Sequence, residues 1–348
     1  MQHSSDHRPL RPNIHRMSAE EKVLLALVRA GLWEREIDDM SPFPISVSSW
    51  MAVYEMALNQ AVIGVAYRGL HYLPDAMLPD DKLMMRWVAM ATKVERKNNV
   101  MNDAIVTLHK ELTEAGLSPI LLKGQGAASF YEHPELRECG DIDLCFAPQE
   151  AMSQAAEMMR ERGVNVKHYA TDNSDAYKWH GVIVEHHMGM FDLCNPRSKG
   201  FLRQMTESDA ATTHITIKAK SGDTEVAVPA PVPCLLLLSS HILIHTMGHG
   251  IGLRQYCDIA RAYHMLQGRY RQADLIEAYE KTGLTKWNRL LNAFLITHLG
   301  VDENVLPNLG DDTKSLERLT KMVLSCGNFG LHNDSRGKST QTKWHRKW

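Results

Sequence analysis

The chain has 348 residues, which is enough for two domains with an extra helical layer. Hydrophobic residues make up 44% and charged residues 23%, as in an ordinary soluble globular protein. The net charge of -2 supplies no positive field and argues against nucleic acid as the main partner. The cysteines are scattered without a Cys-x-x-Cys pair, which favours free thiols in a reducing compartment over a disulfide framework.

The N-terminal segment and the most apolar stretch are not expected to serve in export or membrane insertion. Residues 1–16 are polar, lack the apolar centre of a signal peptide and are predicted to be a disordered lead. The most apolar stretch, residues 226–244, is interrupted by prolines and by a Ser-Ser-His triplet. We therefore expect it to be too polar and too short for a membrane span, and predict a cytoplasmic protein without membrane contact.

Helical patterns fill the first third of the chain. Ser18 and Glu21 form a capping-box pattern, and apolar residues follow them at helical spacing. The pattern continues over residues 48–70, and then over residues 80–115 as one bent helix or as two. Residues 17–116 are therefore predicted to be an N-terminal helical region.

Strands and helices alternate in the middle of the chain, and helices return after it. Predicted strands cover 119–122, 141–146, 164–169 and 182–187, and a predicted helix covers 149–162, with polar turns between them. Predicted C-terminal helices cover 234–247, 253–266, 273–281, 285–298 and 315–324. Residues 117–232 thus predict a compact α+β core, residues 233–330 a C-terminal helical domain, and residues 331–348 a basic polar tail.

Two aspartates stand two residues apart in Gly140-Asp141-Ile142-Asp143-Leu144. Residues two apart on a strand point to the same face, so Asp141 and Asp143 are predicted to project together. A divalent cation relieves their repulsion, and oxygen ligands of this kind suit Mg²⁺, with Mn²⁺ as the alternative. Glu185, on a later predicted strand, is the best third carboxylate for in-line phosphoryl chemistry. Taken alone, such a pair is more often a solvated strand edge.

A glycine-containing turn, Lys123-Gly124-Gln125-Gly126, joins a predicted strand to a predicted helix. Glycine lets the backbone approach a phosphate closely, and the first turn of a helix offers N–H donors and a positive dipole end. Lys123 adds a point charge for phosphate. Such a segment alone is often only a turn. Its combination with the aspartate pair and Glu185 favours a functional site.

This combination resembles the DNA polymerase β-type nucleotidyltransferase superfamily and, more narrowly, its uncharacterised bacterial nucleotidyltransferase family. The matching stretches are 121–124, 134–144, 184–187, 250–258 and 327–330. The resemblance implies that Asp141, Asp143 and Glu185 bind the metal and carry the catalysis, and that Gly124 and the following turn hold the nucleotide phosphates. It also implies an α+β fold, in which a small mixed sheet with helices forms a polymerase β-type core between two helical regions.

Three further residues near the turn belong to the predicted phosphate site. Gln125 stands where the superfamily often has Ser or Gly, so an amide or backbone groups would contact the phosphate there, and Gly126 follows it. Arg137 presents a planar donor fork that would neutralise phosphate charge. The alternative for Arg137 is an ion pair with Asp141 or Glu138 that only shapes the loop.

Residues farther along the chain also keep two interpretations. His187 shares a strand face with Glu185 and would line the cleft, or it is a hydrogen-bonded strand histidine. Arg254 and Asp258, at i,i+4 spacing, would face the cleft and hold the base, ribose or acceptor, or they form an ion pair within one helix. A second set recurs every four residues: His241, His245 and His249. For these, core or substrate-facing positions are favoured over a zinc site, because Gly248 and Gly250 are expected to end the helix.

The sequence therefore predicts a metal-dependent nucleotidyltransferase. It would transfer a nucleoside monophosphate from a nucleoside triphosphate to an acceptor hydroxyl and release pyrophosphate. A catalytically inactive nucleotide- or metabolite-binding protein on the same fold is the alternative. A third hypothesis is a nucleic-acid clamp formed by the basic tail and the helical arms. The near-neutral charge favours a small molecule, a sugar or a protein over nucleic acid as the acceptor.

Overall fold

The computed structural model describes residues 17–146, 150–170, 173–191, 193, 195–248, 250–310 and 312–327. The predicted lead at 1–16 and the predicted tail at 331–348 lie outside the described residues. The four cysteines whose side chains are described are buried and free, as expected from their spacing: Cys139, Cys145, Cys234 and Cys257.

Four helices form the N-terminal region. They are α1 (Ala19–Trp33), α2 (Val47–Asn59), α3 (Ile63–Leu70) and α4 (Asp81–Glu114). The predicted capping box is present, because the Ser18 side chain accepts from the Glu21 N–H while the Glu21 side chain accepts from the Ser18 N–H. The helical region predicted over residues 48–70 is broken near Ala61, whose φ of 54° lies outside the helical range. The long pattern that follows is one helix of 34 residues.

A seven-stranded mixed sheet forms the middle of the chain. Its strands are β1 (Pro119–Leu121), β2 (Ile142–Phe146), β3 (Lys167–Tyr169), β4 (Ser174–Trp179), β5 (Val182–His187), β6 (Thr212–Ile217) and β7 (Thr224–Pro229). The spatial order is β3-β4-β5-β2-β1-β7-β6. β2 pairs parallel with β5, β1 pairs parallel with β7, and the other neighbours are antiparallel. Three helices accompany the strands, α5 (Gln125–Ala128), α6 (Ala151–Glu161) and α7 (Lys199–Glu207). The predicted α+β class is confirmed.

The sequence patterns located β1, β2 and β5 but not all of the sheet. β3 begins at Lys167, later than the strand predicted over 164–169. The prediction of polar turns before β5 was wrong, since β4 occupies half of that segment. β6, β7 and α7 were also missed. In β4 polar residues such as Ser174 and Asp175 are buried, so a strand there does not show a clean apolar alternation.

Helices make up most of the remainder of the described chain. They are α8 (Pro231–Gly248), α9 (Leu253–Leu266), α10 (Gln272–Thr282), α11 (Thr285–Phe294) and α12 (Thr313–Cys326), with a π-helical turn at Leu295–Leu299 after α11. The π-helical turn follows α11 without a break, so the single helix predicted over 285–298 corresponds to these two elements together.

Two large apolar cores hold these layers together, and α4 belongs to both. The first core combines α1 to α3 with the C-terminal helices and includes Leu83 and Trp87 of α4. The second core includes Met101 and Leu108 of α4, the inner face of α6 and one face of the sheet. The N- and C-terminal helical regions, predicted as separate units, thus share one interior.

The apolar stretch that was expected to be too short for a membrane span forms most of α8. Among the described helices, α8 is the one long and apolar enough by length and composition to cross a membrane, but 56% of it is buried inside the protein. Four consecutive leucines, Leu235 to Leu238, are buried. The expectation that this stretch is too polar and too short was therefore wrong for α8, and it is burial that marks α8 as a core helix.

The two faces of the sheet have different coverings, and this difference positions the site. Ile142, Leu144 and Val184 point into the core formed with α4 and α6. Residues alternate along a strand, so their neighbours point to the opposite face. There a small cluster of Ile120, Leu122 and Cys145 packs with Leu237 of α8. The functional side chains lie on this second face, beside α8.

Candidate active site

Asp143 and Glu185 lie side by side on the two central parallel strands. Their Cα atoms are register partners across β2 and β5, so both side chains project from the face that α8 covers. The Asp143 side chain is 6% exposed and the Glu185 side chain 35%, so Glu185 forms the open side of the pair. Asp141 precedes the first residue of β2 by one position and lines the same cleft.

The turn after β1 lies directly over this pair. Lys123 Nζ is 3.2 Å from Asp143 Oδ1. Gly124 follows with φ 53° and ψ -116°, a conformation that residues with a Cβ rarely adopt. A Cβ at this position would lie 3.2 Å from the carbonyl oxygen of Asp141. Glycine is therefore needed both for the backbone angle and for the close approach of the two loops.

His187 completes a compact cluster on the same strand face. Its Nε2 lies 2.7 Å from Asp143 Oδ1 and 3.8 Å from Glu185 Oε2. One ligand atom from each of Asp143, Glu185 and His187 lies within 4.8 Å of the others, a separation at which they could hold a metal ion. Within the described chain, Asp141 is not part of this group.

The carboxyl groups of the cleft differ in their ionisation. Burial alone would raise the pKa of Asp143, but Lys123 and His187 outweigh it and hold that pKa well below its usual value. Burial and the negative charge of Asp143 raise the pKa of Asp141. Burial, Asp143 and Asp141 together raise the pKa of Glu185. Asp143 is thus firmly ionised. Ionisation of Asp141 and Glu185 is less favourable because of burial and repulsion, and a nearby cation would offset that repulsion.

Helices α8 and α9 form the opposite wall of a cleft of about 330 Å³, a volume within the range of small-molecule sites. His241 and His245 line this wall, with ring centroids 4.3 Å apart. Burial, Lys123 and His245 hold the pKa of His241 well below its ordinary value. The two histidines therefore line the cleft, and α8 ends at Gly248 as predicted. His249 lies outside the described residues.

Arg137 is held by Asp258 from the far wall, a pairing that was not predicted. Its Nε and Nη2 donate to the two carboxylate oxygens of Asp258 at 3.0 and 2.5 Å. The hydroxyl of Tyr131 donates to Asp258 Oδ1 at 2.8 Å. Arg254, one turn before Asp258, donates to the carbonyl oxygen of Glu138 at 2.9 Å. All four polar side chains tie the loop before Asp141 to α9, and Tyr131 is the member that the sequence reading missed.

Gln125 and Gly126, predicted to contact phosphate, do not line the cleft. The Gln125 side chain is buried, its Nε2 donates to Asn102 of α4, and its Oε1 accepts from the thiol of Cys139 at 2.7 Å. The amide therefore fixes the turn to α4, and the groups of this turn that reach the cleft are Lys123 and Gly124. Asn102 and Cys139 carry no motif of their own, and only their neighbours in space reveal this role.

The donor set fits a divalent cation. Asp143 and Glu185 supply carboxylate oxygens on one strand face, and their repulsion contributes to the raised pKa of Glu185. A cation between them would replace that repulsion with attraction.

A mixed sheet that presents adjacent carboxylates beneath a lysine–glycine turn defines a protein of the nucleotidyltransferase class. Residues 46–299 match the family described as uncharacterised nucleotidyltransferase, and because the match covers well over half of the chain, the protein belongs to that family. A search of the curated proteins finds no significant match. Among solved structures, the chain is similar to an antigenic nucleotidyltransferase-like protein from Paracoccidioides brasiliensis, with 14% identity and a TM-score of 0.33, over 54% of this chain and 91% of that chain.

Proposed function

We propose that the protein transfers a nucleoside monophosphate from a nucleoside triphosphate to an acceptor hydroxyl and releases pyrophosphate, with the help of a divalent cation. The observation that carries this proposal is the register of β2 and β5, which sets Asp143 beside Glu185, with Lys123 above them. Phosphoryl chemistry needs little covalent work from a protein and relies on positioning and charge, which these three groups supply.

The residues proposed to hold the cation are Asp141, Asp143 and Glu185. When bound, the cation, Mg²⁺ or Mn²⁺, neutralises charge on the phosphates and polarises their oxygen atoms. Lys123 and the Gly124 turn are placed to receive the triphosphate, since the ammonium group needs only to turn from Asp143 toward an incoming phosphate oxygen.

Glu185 is the proposed base for the acceptor hydroxyl. Its side chain is more exposed than that of Asp143, so an acceptor hydroxyl can approach Glu185 from the open side of the cluster. The hydroxyl oxygen, losing its proton to Glu185, attacks the α-phosphorus. The bond from that phosphorus to the bridging oxygen breaks, and pyrophosphate leaves on the side of Lys123.

The acceptor is proposed to be a small molecule, a sugar or a protein side chain in the cytoplasm. The cleft of about 330 Å³ suits a small ligand. The chain's net charge of -2 gives no overall positive charge of the kind that attracts nucleic acid.

Pyrophosphate release tests the proposal directly. The full chain is incubated with each nucleoside triphosphate, with Mg²⁺ or Mn²⁺ and with a cell extract as the source of acceptor, and products are identified by mass spectrometry. Asp143→Asn is expected to lower release by at least about a thousandfold, because the buried carboxylate is the anchor of the cluster. Asp175→Asn, a buried aspartate on β4 outside the cleft, is the matched control and should retain activity.

Two results would count against this function. Full activity in Asp143→Asn would overturn the assignment of the site. Calorimetric binding of a triphosphate without any pyrophosphate release, across all four nucleotides and both cations, would favour the inactive nucleotide-binding alternative.

A further inference from the structure

The position of His187 distinguishes this site from one built of oxygen ligands alone. β5 places His187 two residues after Glu185, so both side chains lie on the face that carries Asp143. The imidazole Nε2 lies within 2.7 Å of one carboxylate and 3.8 Å of the other. The side chain is only 12% exposed, because the ring points toward the cluster and not toward solvent.

The compact cluster therefore adds one imidazole to the carboxylates of Asp143 and Glu185, and Asp141 is the further carboxylate proposed to hold the cation. Mg²⁺ is a hard cation that takes oxygen ligands almost entirely and keeps several waters. First-row transition ions accept imidazole nitrogen together with carboxylate oxygen, and they bind mixed nitrogen–oxygen sites more tightly than Mg²⁺ does. The chemistry of the three ligand atoms thus bears on which ion the site selects.

We propose that His187 is a direct ligand of the divalent cation through Nε2, and that the site selects a first-row transition ion such as Mn²⁺ over Mg²⁺. The inference rests on the proposed function for the presence of a cation in the cleft. In the structure the contact between His187 Nε2 and Asp143 Oδ1 is a hydrogen bond. With an ion bound, Nε2 would carry no proton and would direct its lone pair to the ion.

The opposite wall offers a control for this assignment. His241 of α8 contributes to the electrostatic surroundings of Asp143, and it lines the same cleft. Among the described residues, the group close enough to hold a metal ion is Asp143, Glu185 and His187, and His241 is not part of it. A nitrogen signal from the bound ion would therefore come from His187 and not from His241.

The test uses Mn²⁺ alone as the probe on the full chain. Electron paramagnetic resonance measures Mn²⁺ binding, and pulsed spectroscopy detects ¹⁴N coupling from a coordinated imidazole. We expect ¹⁴N coupling in the wild type and its loss in His187→Gln. Mn²⁺ affinity should fall by at least about 10- to 100-fold, the loss that follows removal of even an outer hydrogen-bond partner of a ligand. His241→Gln should change neither quantity. Mg²⁺ should displace Mn²⁺ only at about tenfold excess or more over the Mn²⁺ concentration.

Three outcomes would overturn the inference, and none depends on the variants folding. They are wild-type protein that carries Mn²⁺ without ¹⁴N coupling, wild-type protein that binds no Mn²⁺, and equal affinities for Mg²⁺ and Mn²⁺. Retention of the coupling in folded His187→Gln would also overturn it. If the wild type with bound Mn²⁺ shows no ¹⁴N coupling but releases pyrophosphate with Mg²⁺, the proposed function stands while this inference fails.

Discussion

The buried ion pair between Arg137 and Asp258 gives the strongest expectation for stability. Both side chains are nearly inaccessible, with 5% and 3% exposure. Asp258→Ala would leave the guanidinium buried without its carboxylate and would also remove the acceptor of the Tyr131 hydroxyl. Breaking a buried pair from one side costs about 3–5 kcal/mol, because the remaining charge is not compensated.

That loss is a large share of the stability of a typical protein, about 5–15 kcal/mol. Urea unfolding followed by tryptophan fluorescence measures it as a shift in midpoint at constant slope. The double variant Arg137→Met with Asp258→Ala should recover most of the loss, since it removes both charges together.

A matched pair on the surface supplies the control. Arg271 and Asp274 form a two-point contact of similar geometry, but Arg271 is 83% exposed. Asp274→Ala should therefore leave the urea midpoint nearly unchanged. The reasoning is refuted if Asp258→Ala shifts the midpoint no more than Asp274→Ala does, or if the double variant is as unstable as the single one.

Two further changes test the turn and the carboxylates. Gly124→Ala should cost about 1–3 kcal/mol in urea unfolding and abolish pyrophosphate release, because of its φ of 53° and the nearby Asp141 carbonyl. Gly163→Ala is the control, because Gly163 has φ 78° with open space around it; it should cost about 1–2 kcal/mol and leave activity intact. Equal losses of activity in Gly124→Ala and Gly163→Ala would contradict the role of the turn. Glu185→Gln should abolish release yet raise the urea midpoint at neutral pH, because a raised carboxyl pKa means that ionisation destabilises the fold. The gain should vanish below the unfolded pKa of about 4.3, where both forms are neutral, and a gain that persists there would show that charge is not its cause.

Local patterns made part of this site predictable. The Asp-x-Asp spacing, the glycine turn and the Val-x-Val-Glu strand each act within a few residues. The strand period alone therefore predicted that Asp141 points with Asp143 and that Glu185 points with His187. The capping box at Ser18 is likewise local, and the structure contains it. The same patterns identified the family and the α+β class.

The rest depends on contacts between distant parts of the chain. Arg137 and Asp258 are 121 positions apart, and no local spacing relates them. Gln125 turns inward because Cys139 and Asn102 receive it, although its position beside a phosphate turn suggested otherwise. His187 joins the carboxylates through the register of β2 and β5, which sequence periodicity does not specify.

Helix α4 has a consequence for how the protein unfolds. With 34 residues it is about 51 Å long, and its first half is embedded in the helical core while its second half is embedded in the sheet core. If one core loses its packing, half of α4 is exposed, and the helix that also packs in the other core is weakened. The chain should therefore melt in a single cooperative transition. We therefore expect a fragment cut within α4 to unfold at a lower urea concentration than the full chain, because each part keeps only its own segment of the helix.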